Sequence, residues 1–340
     1  MTYSEDDMTN APQDETSHRG DAKRPAHFKR LIAIIGATVV VLGAGGAIIA
    51  AKLSTPSYPI HSTNYVRYLG VHEPDAPGSY DQIDQFAASI GRQPNIVSYY
   101  SPWLEKFQPR FVAAAAEHGA TTIVQIDPEN VSIAAIASGQ YDRYLRNYAA
   151  AVSAVGRPVV MSFGHEMNGN WYPWGNQHTP ASIFVAAWRH IVTIFRESGA
   201  TNVIWLWTVN VVSSANEIPN PAPWWPGKQY VNWVGIDGYF YLSSQTFSEL
   251  FASTIIDVRG LTGDPILIAE TGAAASAGQP AMISQLFAGV RTYGLFGFVW
   301  FDEDTQGRAW RIDGPAAFSA IRRNANLYMR PSSTTEDGSP

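Results

Sequence analysis

The sequence predicts a (β/α)8 barrel, a TIM barrel, preceded by a single N-terminal transmembrane helix. Three observations lead there. Between residues 64 and 328, eight short apolar runs alternate with helical stretches, and eight buried strands with intervening helices in about 250 residues fit a barrel. Two of these runs end in a glutamate, Glu166 and Glu270, at the place where barrels carry catalytic groups. Residues 31–51 contain no charged side chain, and at ~1.5 Å rise per residue such a helix spans a ~30 Å hydrocarbon core. A doubly wound open sheet is the rival architecture, because periodicity alone does not separate the two. No strand runs into G-x-G-x-x-G or a P-loop, which counts against a nucleotide-binding sheet.

Residues 1–30 are polar, acidic and then basic, without periodicity, and read as a disordered cytoplasmic tail. Lys23, Arg24, Lys29 and Arg30 precede the apolar run, while Lys52 stands alone after it. That bias holds the tail in the cytoplasm and places the downstream chain outside. The expected location is the cell membrane, single-pass, with the lipid bilayer contacted through 31–51. Cleavage in the small-residue stretch Ala47–Ala51 is the alternative and would give a secreted protein. Residues 52–63 read as a linker and 329–340 as a disordered tail.

Within the domain 64–328 the expected strands are Tyr65–Val71, Asn95–Tyr100, Thr121–Ile126, Pro158–Phe163, Val203–Trp207, Trp233–Asp237, Pro265–Ala269 and Gly297–Phe301. The expected helices are Tyr80–Ile90, Gln108–His118, Tyr141–Val155, Pro180–Ser198, Thr246–Arg259 and Pro280–Tyr293. Pro180 and Pro280 suit first helical turns, and glycines at 119, 156, 199 and 294 suit helix ends. The connection 208–232 shows no helical period. It holds Pro219, Pro221, Pro223, Trp224, Trp225 and Pro226 and reads as a long functional loop.

Composition narrows the chemistry. A formal net charge of −6 argues against a nucleic-acid partner, which needs a basic face. The absence of cysteine excludes disulfides, thiolate zinc sites and a cysteine nucleophile. The run Gly164-His165-Glu166-Met167-Asn168-Gly169-Asn170-Trp171-Tyr172-Pro173-Trp174-Gly175 follows a buried strand. It puts an acid beside three large aromatic rings. Sugar C–H faces stack on such rings, and a glycosidic oxygen needs a proton donor to leave. Ile266-Leu267-Ile268-Ala269-Glu270-Thr271-Gly272 is the second signal, since a charge closing an apolar strand is costly unless paired or used. Glu166 ends the fourth strand and Glu270 the seventh, so both carboxylates can face one bound sugar. Otherwise Glu270 caps the next turn or pairs with Arg291.

Residues 164–175 resemble the acid/base signature of glycoside hydrolase family 26, the β-mannanase family. Trp233–Tyr239, Ile268–Gly272 and Phe298–Phe301 resemble that family's sixth-, seventh- and eighth-strand motifs. The resemblance covers roughly residues 64–325. It implies a retaining barrel hydrolase, with Glu166 as general acid/base and Glu270 as nucleophile, and an endo-β-1,4-mannanase acting on β-mannan. His165 stands where related barrel families carry an asparagine that bonds the sugar. By matched position, Tyr239 donates a hydrogen bond to Glu270, and Trp300 is the platform beneath the sugar being cleaved. Trp171 and Trp174 are expected as cleft walls, and Asn168 as a residue that orients the loop. His72, Tyr100, Trp103 and Asp127 are candidates for contacts further along the sugar chain. Trp224 and Trp225 either form an outer stacking patch or fold their loop onto the barrel.

Other readings are weaker. His165-Glu166 suggests the zinc motif H-E-x-x-H, but residue 169 is glycine. Asp302-Glu303-Asp304 offers calcium ligands or a second carboxylate, although two of the three are expected to be solvated or paired with Arg308 and Arg311. Asp237 is expected to stabilise a turn before Gly238. No metal or organic cofactor is called for. The same retaining chemistry on β-glucan or xylan, and a non-catalytic membrane-tethered glycan receptor, are the alternatives.

Overall fold

The computed structural model describes residues 66–329 apart from 215, 306 and 307. The expected tail 1–30, anchor 31–51 and linker 52–63 lie outside the described residues, as does the C-terminal tail beyond Met329. Among the described residues, no helix is long and apolar enough to cross a membrane.

Eight parallel strands close a barrel in chain order: β1 (Tyr68–His72), β2 (Ile96–Pro102), β3 (Thr121–Asp127), β4 (Val159–Phe163), β5 (Val203–Asn210), β6 (Trp233–Asp237), β7 (Ile266–Thr271) and β8 (Gly297–Phe301). The ring closes where β8 pairs with β1 from Tyr68↔Gly297 to His72↔Phe301. Parallel strands buried on both faces read as near-continuous apolar runs, which is why all eight were visible in sequence. Their ends moved by up to three residues. β5 continues to Asn210 because Thr208 and Asn210 keep the strand alternation while changing its polarity.

Alternation sorts the strand residues into two cores. Ile96, Ile123, Val160, Leu206, Leu267, Ala269 and Val299 fill the barrel interior. The opposite faces pack outward against helices, with Val71, Val97, Val124, Met161 and Trp300 among them. The helical ring comprises α1 (Asp81–Ile90), α2 (Pro109–Glu117), α3 (Ile133–Ala137), α4 (Asp142–Ala154), α5 (Ala181–Glu197), α6 (Phe247–Arg259), α7 (Gln279–Thr292) and α8 (Gly314–Tyr328). Gly119, Gly156, Gly199 and Gly294 end helices with φ between 62° and 77°, the left-handed backbone that glycine adopts without strain.

Two helices were not expected. α3 is five residues long, too short to show a period. α8 buries Ala317, Ala320, Ile321 and Ala325, and alanines make a faint apolar stripe. Among the described residues between β5 and β6 stand two single 3₁₀ turns, Ala222–Trp224 and Lys228–Tyr230. Trp224 is buried there, and Trp225 meets Trp207 edge-on at 5.0 Å. These rings pin the loop to the barrel, so the outer stacking patch is not formed.

The barrel closure depends on Gly297. A Cβ at this position would stand 2.0 Å from the Tyr68 carbonyl oxygen, and backbone cannot yield as a side chain can. Gly297→Ala is expected to destabilise by about 1–3 kcal/mol, as overpacking does. For a domain of this size that lowers Tm by roughly 3–10 °C, measurable by thermal denaturation.

Candidate active site

The C-terminal ends of the strands open into a cleft of about 820 Å³. Glu166 stands just past β4 with φ +54°, a left-handed backbone uncommon outside glycine. Its N–H donates to the Thr208 carbonyl at 3.0 Å, holding the turn against β5. The carboxylate accepts Trp171 Nε1–H on Oε2 at 2.7 Å and Asn210 Nδ2–H on Oε1 at 2.5 Å. Trp171 can fold back over this loop because residue 169 is glycine: a Cβ there would meet the indole ring at 2.2 Å.

Glu270 lies at the mouth end of β7. Its Oε1 accepts the Tyr100 hydroxyl at 2.5 Å and Gln125 Nε2–H at 3.1 Å, and its Oε2 accepts the Tyr239 hydroxyl at 2.9 Å. Three donors are thus aimed at one carboxylate. Burial, then the Glu270 charge, pushes both phenols well up, so each remains an O–H donor. The alternatives for Glu270, a turn cap or a pair with Arg291, are not what the structure shows. Arg291 lies over the Tyr328 ring instead.

An oxygen of Glu166, one of Glu270 and one of Asp237 lie within 4.8 Å of one another. Burial and the Glu270 charge raise the Glu166 carboxyl to about 7, against the opposing pull of His165, Asn210 and Trp171. His165 is buried behind this pair. Its Nδ1 lies 3.0 Å from Asp127 Oδ1, and its Nε2 lies 3.2 Å from the Tyr172 hydroxyl and 3.9 Å from Glu270 Oε1. Burial opposes its charge, but Asp127, with Glu270 and Glu166 beyond, pushes the imidazole up to about 10. Spacing alone would let the three acids hold a cation. The five donors already on the two glutamates and the cationic imidazole beside them make that donor set a poor fit.

Of the residues singled out from sequence, Glu166, Glu270, Trp171 and Tyr239 line the cleft, and His165 supports it from behind. Two tryptophans are corrected. Trp174 is fully buried, stacks on Tyr172 at 4.3 Å, and donates Nε1–H to the His165 carbonyl. It backs the loop and is no cleft wall. Trp300 is 1% exposed and faces outward from β8, since Val299 and Phe301 take the inward positions. It is no sugar platform; its Nε1–H holds the carbonyl of Trp310, whose ring packs on Tyr239 at 4.7 Å at the cleft.

The weaker candidates divide similarly. Tyr100 and Asp127 reach the cleft, while His72 and Trp103 are buried, His72 stacked on Phe301 and Trp103 against Tyr144. Asp302 accepts the Ile312 N–H, Glu303 faces His72 at 3.5 Å, and Asp304 faces Arg311 at 4.0 Å, so the three acids do not converge. Asn168 bonds both main-chain groups of Asn210, as expected of a loop-orienting residue. The turn role expected for Asp237 is absent, because neither of its oxygens meets a donor in bonding geometry.

Sequence reasoning missed Asn210, Gln125 and the bond from Tyr100 to Glu270. The available signal was a polar residue inside a strand: Gln125 amid Ile123, Val124 and Ile126, and Asn210 two residues past Thr208.

The Asp127–His165 pair should be visible in stability. An imidazole raised from its ordinary 6.5 to about 10 contributes fully below pH 6.5 and loses that contribution as pH climbs through 10. Asp127→Asn breaks a buried pair, costing about 3 kcal/mol. Thermal melts should show the gap to wild type widest between pH 5 and 6.5 and narrowing towards pH 10.

Comparison with known proteins agrees with this geometry. The model for glycosyl hydrolase family 26 matches residues 129–288, which include Glu166 and Glu270. Endoglucanase H of Acetivibrio thermocellus is 30% identical over 261 residues, 72% of this chain and 29% of its own length. A mannan endo-1,4-beta-mannosidase of Bifidobacterium adolescentis is 26% identical over 134 residues, 37% of this chain and 13% of its own. The chain therefore spans well under half the length of these curated relatives. Among solved structures, Bacillus subtilis mannanase man26 superposes with a TM-score of 0.60 at 15% identity, over 82% of this chain and 90% of that one. A Cellulomonas fimi endo-beta-1,4-mannanase double mutant gives 0.61 at 15% identity, over 81% and 77%. At such identity these structures speak for the fold. Motif, barrel and relatives converge on glycosyl hydrolase family 26, whose model this chain matches.

Proposed function

We propose that the protein is a membrane-anchored, extracellular, retaining endo-β-glycosidase that cleaves β-1,4-linked mannan. The observation that carries the mechanism is the approach of Glu166 and Glu270 oxygens to within 4.8 Å. Retention needs two carboxyls ~5–5.5 Å apart, whereas inversion needs a gap of ~6.5–9.5 Å to admit water between acid and base. Glu166, raised to about 7 by burial and by its neighbour's charge, carries a proton to hand over near neutral pH. It protonates the glycosidic oxygen as that bond breaks, while a Glu270 oxygen attacks the anomeric carbon to form a glycosyl ester. The Glu166 carboxylate then takes a proton from water, whose oxygen attacks the same carbon and releases Glu270. Trp171, 44% exposed beside the acid, offers the sugar an indole face.

The anchor rests on the uncharged run 31–51 and the basic residues before it. For substrate, the motifs favour mannan. One observation favours a second reading, a β-glucan: the endoglucanase relative matches 72% of the chain, whereas the mannosidase relative matches 37%.

Incubation of the purified protein with mannans, glucans and xylans, scored by new reducing ends, separates these readings. Release from mannan supports the first, and release from glucan alone replaces it with the second. Binding without any cleavage would make the protein a glycan receptor. Glu270→Ala should lose at least ~10³-fold in kcat, and azide should restore turnover with an inverted product; undiminished turnover would remove Glu270 from the mechanism. Because the acid form of Glu166 is required, kcat/KM should fall as pH rises through about 7.

A further inference from the structure

Asp237 is fully buried at the mouth end of β6, its Cα paired across the sheet with those of Asn210 and Glu270. One of its oxygens lies within 4.8 Å of both glutamates. The Glu270 main-chain N–H lies nearby, but neither Asp237 oxygen accepts a hydrogen bond in good geometry. A buried ionised carboxylate without donors is among the costliest arrangements a protein can hold. A protonated one costs far less, since its O–H is a donor in its own right.

Apart from the nearby Glu270 N–H, the groups facing Asp237 give its charge no support. Glu166 and Glu270 repel it, and the tyrosines at 100, 172 and 239 stay un-ionised beside it. The hydroxyls of Tyr100 and Tyr239 are already given to Glu270. His165, the cation beside the glutamates, bonds Asp127 and Tyr172. Burial first, then Glu270 and Glu166, raises the Asp237 carboxyl well above the usual range.

We propose that Asp237 is a positioning residue that works as an undissociated carboxylic acid, presenting an O–H to the Glu166–Glu270 pair where a third carboxylate would repel both. Two carboxyls of the three then carry protons at rest, and the three together hold one negative charge before and after glycosyl transfer. Glu270 loses its charge on forming the ester as Glu166 gains one. The neutral Asp237 donor steadies whichever glutamate is charged. This rests on the retaining mechanism proposed above, but its first test does not need turnover.

At neutral pH, the infrared difference between Glu166→Gln and Glu166→Gln/Asp237→Asn should show a buried carboxylic-acid carbonyl band present only in the first, because the Glu73 acid, raised to about 9, is common to both and cancels. Absence of that band means an ionised Asp237 and overturns the proposal, whatever polymer the protein cleaves. In the otherwise native chain, Asp237→Leu keeps the branched outline without the donor and should lower kcat about thirtyfold with KM little changed, the equivalent of one lost hydrogen bond to a charged group. Asp237→Asn, neutral and still a donor, should recover most of that loss with the alkaline limb of kcat/KM in place. An alkaline limb displaced downward by a pH unit or more in Asp237→Asn would mean that the charge was what mattered. A fully active Asp237→Leu would reduce the residue to packing. Melting temperatures of each variant separate a folding defect from either result.

Discussion

Repulsion between like charges in a small buried space governs this site. The barrel delivers Glu166 and Glu270 to its mouth from β4 and β7 and leaves their oxygens within 4.8 Å. Two ionised carboxylates would be untenable there, so the surroundings divide their roles. Glu270 is surrounded by donors from Tyr100, Gln125 and Tyr239. Glu166 receives fewer donors, and burial beside its neighbour raises its proton affinity. The difference between the two acids lies in what surrounds them, as in other carboxylate pairs that must do opposite jobs.

The cation buried beside the pair is part of the same balance. His165 is held in its charged form by Asp127, outside the glutamate pair. At 3.9 Å from Glu270 it offsets negative charge while its own hydrogen bonds go to Asp127 and Tyr172. The surrounding layer is aromatic and apolar: Tyr172 and Trp174 stack behind the imidazole, and Trp310 packs on Tyr239. With water thinned out there, every charge acts at greater strength than it would in solvent.

Much of this was legible in the sequence. Eight strands buried on both faces cannot hide their apolar runs, and a glutamate closing such a run contradicts its context strongly enough to be seen. What failed was orientation. Trp174 and Trp300 are aromatic and adjacent to the right motifs, but composition does not say which side of a wall a ring occupies. For Trp300 a count of alternation from Val299 decides it, and that count needs the barrel interior to be known first. Gln125 and Asn210 were lost because a lone amide in a strand looks like noise until a carboxylate from another strand arrives beside it. Asp237 was misread for the reverse reason: the glycine after it explained the residue locally, and its unmatched burial is a property of the assembled barrel.

Asn168 carries a consequence for how the rim holds together. The β4 main chain pairs with β5 only from Val159 to Met161, yet the Asn168 amide donates to the Asn210 carbonyl at 2.9 Å and accepts the Asn210 N–H at 2.8 Å. A side chain thus supplies one more rung of the ladder after the strand itself has turned away. Asn210, whose amide grips the Glu166 carboxylate, and the turn that bears Glu166 are thereby fastened to each other.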